Sequence, residues 1–167
     1  MTTLRCTAKA LKRFRLVAED SPPPSEGRLG DWYVNLLNVG PHRLVLCVAE
    51  KSLLPVLCPA RQNEFPSQVR HYVAEVLEAV GVDPDIAARE AKTLTDVRIG
   101  RTKDRSILGV MNDYRRMAPY HLEVDAPFET ALKLAEAPFN RLGFESPLER
   151  TRQLLAVSTS RRNGSRS

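Results

Sequence analysis

Three short apolar runs lie close together in the first half of the chain, and they constrain the fold more than any other feature. The runs are DWYVNLL, RLVLCVAE and LLPVLC, separated only by NVGP and EKS. They are rich in Val, Leu and aromatic residues and are bounded by turn residues, which is typical of β-strands. Because such short connections join antiparallel neighbours, the sequence predicts a three-strand antiparallel meander over residues 31–58.

The pattern within these runs predicts where each strand lies in the sheet. The middle run is apolar on both alternations, so we expect it to be central and covered on both faces. Pro55 has no N–H to donate, which places the third strand at an edge or a bulge. A later segment, DVRIGRT, predicts a fourth strand with Val97 and Ile99 directed inward.

Apolar residues at helical spacing predict helices in the rest of the chain. The clearest case is PSQVRHYVAEVLEAVG, which predicts a helix over residues 67–80 that ends at Gly81 and packs across the sheet. Capping residues predict the other helix starts: Thr7, Asp83, Asp104 or Ser106, Asp125 and Ser146. We therefore predict one α+β domain over residues 1–155, with a small antiparallel sheet of three strands plus a fourth and five to six helices.

The bulk composition is that of an ordinary soluble domain. The chain has 167 residues, of which 43% are hydrophobic and 27% are charged. No apolar run has the length of a membrane span, and the N-terminus lacks the continuous apolar core of a signal peptide. We expect a cytoplasmic protein with no membrane partner.

Much of the net charge of +5 comes from the C-terminal segment. Three of the 25 basic residues lie in residues 156–167, a polar segment that we predict to be a disordered basic tail. Without them, 22 basic residues stand against 20 acidic ones, so only local clusters indicate a function.

Two basic clusters are candidate binding sites for an anion or a nucleic acid. The first cluster lies near the N-terminus. The second is the stretch RTKDRSILGVMNDYRR, in which a helix is predicted to begin among basic side chains. A helix N-terminus attracts anions. The predicted binding residues are Arg101, Lys103, Arg105, Ser106 and Arg115 in this cluster, and Lys9, Lys12 and Arg13 in the N-terminal one. The alternative is that these side chains form a charged loop and the solvated faces of two helices.

The sequence offers no metal or cofactor signature. Cys6, Cys47 and Cys58 are an odd number without C-x-x-C spacing, so we expect reduced thiols. The three histidines are widely separated in sequence, which argues against a metal site. We therefore predict no cofactor.

Catalytic candidates are isolated residues without an identifiable partner. Asn112 and Asp113 are poor helix formers inside a predicted helix, and we expect them to lie near Trp32, Tyr33 or Asn35. Trp32 itself is expected in the core. An enzyme acting on an RNA or phosphate-bearing substrate is one alternative, with acid–base groups drawn from His42, His71, Asp31 or Asp113.

Four segments resemble a family of small bacterial proteins that is grouped as a domain of unknown function. They are LRCTAKALKR, LGDWYVNLL, LVLCVAEKSLLPVL and RSILGVMND, and the resemblance extends from about Leu4 to Pro147. It implies no activity, cofactor or catalytic residue. The sequence departs from the family pattern at Pro119, where a relative is expected to continue its helix.

The sequence thus favours a non-enzymatic binding module that engages an anionic partner through its basic clusters. Nucleic acid is the first candidate partner and an acidic protein is the second. A further alternative is a structural protein of a small bacterial operon, in which the apolar edge near Pro55 would contact a partner.

Overall fold

A mixed five-stranded sheet forms the centre of the protein. The computed structural model describes residues 1–164, with side chains through Ala156. The strands are β1 (Thr2–Cys6), β2 (Trp32–Val39), β3 (His42–Ala49), β4 (Pro55–Pro59) and β5 (Val97–Arg101). Their order across the sheet is β4-β3-β2-β1-β5.

The predicted meander is confirmed, and the sheet is larger than the sequence indicated. Strands β2, β3 and β4 are antiparallel neighbours, and β4 lies at an edge, as Pro55 predicted. The prediction missed β1, which lies between β2 and β5 and is parallel to both. Thr2, Thr3 and Arg5 of this strand are buried although they are polar, which leaves only Leu4 and Cys6 as an apolar signal. The predicted α+β class is confirmed. The sheet has five strands and is mixed, whereas the prediction was an antiparallel sheet of three strands plus a fourth.

The described residues form six α-helices, which agrees with the predicted five to six. They are α1 (Ala8–Phe14), α2 (Val69–Ala79), α3 (Pro84–Lys92), α4 (Arg105–Leu122), α5 (Pro127–Leu134) and α6 (Pro147–Gly164). Thr7, Asp83 and Asp104 cap α1, α3 and α4 by accepting hydrogen bonds from backbone N–H groups of the first turn. α4 continues through Pro119 to its end at Leu122.

The helices pack on both faces of the sheet, because β3 is apolar on both alternations. Val45 and Cys47 face a core layer that includes α1, α2 and α3, whereas Leu44 and Leu46 face α4 and α5. Trp32 lies in the first layer, as expected for a core residue. α5 also packs against β4, whose first four residues are buried.

The predicted basic tail coincides with the last part of α6. Residues 165–167 lie outside the described residues, and α6 is traced to Gly164. Disorder of residues 156–167 therefore stays a prediction.

We expect the three cysteines to be inert in the folded protein. All are free and buried, and burial raises the pKa of the Cys6 thiol to about 12. A hydrogen bond with Cys58, together with burial, raises the pKa of Cys47. At pH 8, a thiol with a pKa near 12 is ionised in roughly one molecule in ten thousand, and only the thiolate reacts with disulfide reagents.

A chromogenic disulfide reagent tests this expectation. Native protein should release almost no chromophore over an hour, and protein in denaturant should release that of all three thiols. The thermal midpoint should not change when reductant is added. Fast labelling of native protein, or a midpoint that falls in reductant, would contradict the expectation.

Candidate functional site

An open groove of about 1140 Å³ lies between α4, the end of β2 and the segment 138–144. Its polar lining includes three arginines, Arg115, Arg116 and Arg141, and two amides, Asn112 and Asn140, and Asn38 borders it at the end of β2. Phe139 and Phe144 supply aromatic surface. Guanidinium groups suit phosphate or carboxylate, amides suit the edges of bases, and aromatic rings suit stacking.

The groove carries more positive than negative charge. Arg116 forms an ion pair with Asp113, which also lines the groove. Arg141 forms an ion pair with Asp104, which does not line the groove, at 3.0 Å between Nη2 and Oδ2. No ion pair to Arg115 is found within the described part of the chain. Because these pairs are solvent-exposed, they are weak, and an incoming anion can compete for the arginines.

Phe144 projects from a strained turn at the rim of this groove. Its side chain is 74% exposed, and its φ of +67° is unusual for any residue with a bulky side chain. The turn is held by a hydrogen bond from the Phe144 N–H to the Phe139 carbonyl, at 2.9 Å. Phe139 is anchored in turn against Tyr114, with ring centroids 5.6 Å apart. Strained backbone clusters at functional sites, so Phe144 is a candidate functional residue.

The N-terminus of α4 is occupied by the chain's own carboxylate. Asp104 accepts hydrogen bonds from the Ser106 N–H at 2.9 Å and from the Ile107 N–H at 3.4 Å. Partial burial raises the pKa of Asp104, but hydrogen bonds from Ser106 and Arg141 more than offset this, so its pKa is lowered. The N–H groups that attract an anion at a helix start are therefore already bound.

The predicted binding residues lie in several places. Ser106 and Arg115 line the groove, whereas Lys103 lines a separate crevice beside Arg5. Arg105 is exposed at the first position of α4. The others lie near α1, where Lys9, Lys12 and Arg13 surround a depression beside Leu36, and Arg101 adjoins Lys12 in a neighbouring one.

The crevice beside Arg5 contains a buried ion pair that the sequence did not reveal. Arg5 Nε donates to Asp31 Oδ2 at 3.0 Å, and Ser25 Oγ donates to Asp31 Oδ1 at 2.6 Å. Arg5 Nη1 also donates to the Arg101 carbonyl at 3.2 Å. These bonds tie the proline-rich segment before β2 to β1 and β5, which gives the pair a structural role.

The candidate acid–base groups lie on separate elements. His71 is on α2 and Asp113 is on α4, and these helices pack on opposite faces of the sheet. Asp31 is held in the Arg5 crevice, and His42 begins β3. Asn112 and Asp113 line the groove beside residues 37–39, farther along β2 than the expected Trp32 and Tyr33.

Sequence reasoning missed Arg141 and Phe144. Both lie in PFNRLGF, where the glycine indicates a turn, and surface turns are common places for binding residues. Only the fold shows that this segment faces α4.

These observations define a small α+β protein with a positively charged, aromatic-rimmed groove. The chain belongs to the family described as a domain of unknown function, DUF6933, whose family model matches residues 3–150. Neither a curated protein nor a solved structure matches the chain. Within the described residues, no helix is long and apolar enough to cross a membrane. In the same part of the chain, no cluster of three or more His, Cys, Asp or Glu residues suits a metal ion.

Proposed function

We propose that this protein binds single-stranded nucleic acid in the groove between α4 and the segment 138–144. The observation that carries the proposal is the exposed ring of Phe144, which the fold holds at the rim of a groove containing three arginines. Proteins that bind single strands combine cations along the backbone with aromatic rings on which bases stack.

The groove chemistry favours a single strand over a duplex. Base faces in a duplex are covered by neighbouring base pairs, so Phe144 can stack only on an unpaired base. Arg115, Arg116 and Arg141 would contact phosphates, and Asn112 and Asn140 present amides that suit base edges. A phosphate competes readily for Arg115, since no carboxylate is paired with it in the described part of the chain.

Replacement of Phe144 separates binding from stability. Phe144→Gly removes the ring and relieves the positive-φ strain, because glycine adopts such backbone without a steric clash. We expect its thermal midpoint to equal or exceed that of the parent. Binding to a labelled single-stranded oligonucleotide should weaken roughly tenfold, as expected for the loss of one stacked base.

Phe144→Tyr is the matched control, because it keeps both the aromatic ring and the backbone strain. It should bind like the parent in fluorescence anisotropy, and a duplex of the same sequence should bind all three proteins more weakly. Parent-like affinity of Phe144→Gly, or equal affinity of the parent for duplex and single strand, would contradict stacking at this site.

A further inference from the structure

The outer edge of β2 is left without a strand partner over its last residues. β1 pairs with β2 only as far as Cys6, which lies opposite Val34. β2 continues to Val39, paired there with β3 alone, and then turns through Gly40, whose φ is +54°. Residues 35–39 therefore present an open strand edge on the side where β1 has ended.

Backbone groups at this edge point away from β3. The Thr7 N–H donates to the Val34 carbonyl at 3.0 Å, and the Leu36 N–H donates to Asn35 Oδ1 at 2.8 Å. In an antiparallel pair, each residue directs its N–H and its C=O to the same edge of the strand, and residues two apart use the same edge. Asn38 therefore directs both of its backbone groups outward, and no hydrogen bond to either group is found among the described residues.

Basic side chains flank this edge on both faces of the sheet. On one face, Lys9, Lys12 and Arg13 surround the depression that contains Leu36. On the other face, Leu37 and Val39 border the groove that contains Arg115 and Arg116. Consecutive residues of an added strand would point alternately towards these two positive surfaces.

We propose that this edge binds an extended acidic segment of a partner protein, which adds to the sheet as a short strand beside β2. Backbone bonds to Asn38 would supply register, and a segment with acidic residues on both alternations would meet cations on both faces. A nucleic acid fits the edge less well, because the outward carbonyl of Asn38 lies beside its N–H and repels phosphate oxygens. The inference goes beyond the proposed nucleic-acid binding and does not depend on Phe144.

The test exploits the free N–H of Asn38. Asn38→Pro removes an N–H that forms no bond to β3, so the sheet should tolerate it as edge strands do. Asn38→Ala removes only the side chain and keeps the N–H. The probe is a short fluorescein-labelled peptide of repeated Glu-Glu-Thr, with a Lys-Lys-Thr peptide as its charge control.

We expect the parent and Asn38→Ala to bind the acidic peptide with equal affinity and Asn38→Pro to bind it roughly tenfold more weakly. None of the three proteins should bind the basic peptide. The amide of Asn38 in the parent should also become protected from hydrogen exchange when the peptide is added, a readout that does not require the proline variant to fold. Phe144→Gly should bind the peptide like the parent, which separates this proposal from the groove.

Three results would overturn strand addition at β2. They are no binding of the acidic peptide by the parent, equal binding by Asn38→Pro and Asn38→Ala, and an unprotected Asn38 amide in the presence of saturating peptide. If Asn38→Pro instead weakens only oligonucleotide binding, the edge belongs to the nucleic-acid surface and the peptide proposal is wrong.

Discussion

Val73→Asp is expected to remove much or all of the protein's stability. Val73 is fully buried on α2, where it packs with Val69, Val76 and Leu77 into the core layer beneath the sheet. The substitution loses about 2 kcal/mol of apolar burial and places an unpaired carboxylate in the core, which costs several kcal/mol more. A domain of this size is typically stable by only about 5–15 kcal/mol, so the loss removes much or all of its stability.

His71→Asp is the matched control, since it introduces the same carboxylate two residues earlier on the exposed side of α2. An acidic residue in the first turn of a helix interacts favourably with the helix dipole, so this variant should melt within a few degrees of the parent. Circular dichroism melts of the three proteins provide the comparison. A midpoint for Val73→Asp within a degree or two of the parent would show that this face of α2 is not part of the core.

Elements with a continuous apolar pattern could be predicted from the sequence. β3 is apolar on both alternations and proved to be covered on both faces, and the lack of an N–H at Pro55 correctly placed β4 at an edge. β1 could not be predicted, because three of its five buried residues are polar. Arg5 is buried there only because Asp31, distant in sequence, provides a partner for its charge.

The candidate site was only partly predictable, because it depends on how the chain leaves β5. Arg101 and Lys103 are two residues apart, yet the chain passes from one face of the sheet to the other between them to begin α4. Neighbouring charges in the sequence thus lie on different surfaces. The groove instead combines Arg115 with Arg141, which belongs to a separate segment, and no local pattern could have joined them.

Removal of the groove arginines should have the largest effect on nucleic-acid binding. In the triple variant Arg115→Gln, Arg116→Gln and Arg141→Gln, three phosphate contacts are lost, and the side chains are sufficiently exposed for the fold to remain intact. Counterion release predicts that the slope of log affinity against log salt falls by about 0.7 for each lost contact to a single strand, or about 2 for all three. Binding at low salt should weaken tenfold or more, on the order expected for losing several charge-assisted contacts.

A second triple variant, Arg101→Ser, Lys103→Ser and Arg105→Ser, removes the same charge at the start of α4 and outside the groove. It should lower affinity modestly through the overall field of the protein and leave the salt slope close to that of the parent. Its thermal midpoint and that of the groove variant should both remain near the parent value, which excludes unfolding as the cause of any loss.

The most direct measurement is a salt titration of single-stranded oligonucleotide binding by fluorescence anisotropy, made on the parent and on both triple variants. Binding in the groove predicts a steep slope for the parent, a slope lower by about 2 for the groove variant, and a parent-like slope for the variant at the start of α4. Absence of binding by the parent at low salt would contradict the proposed function. Equal loss in the two variants would show that the groove is not the binding site.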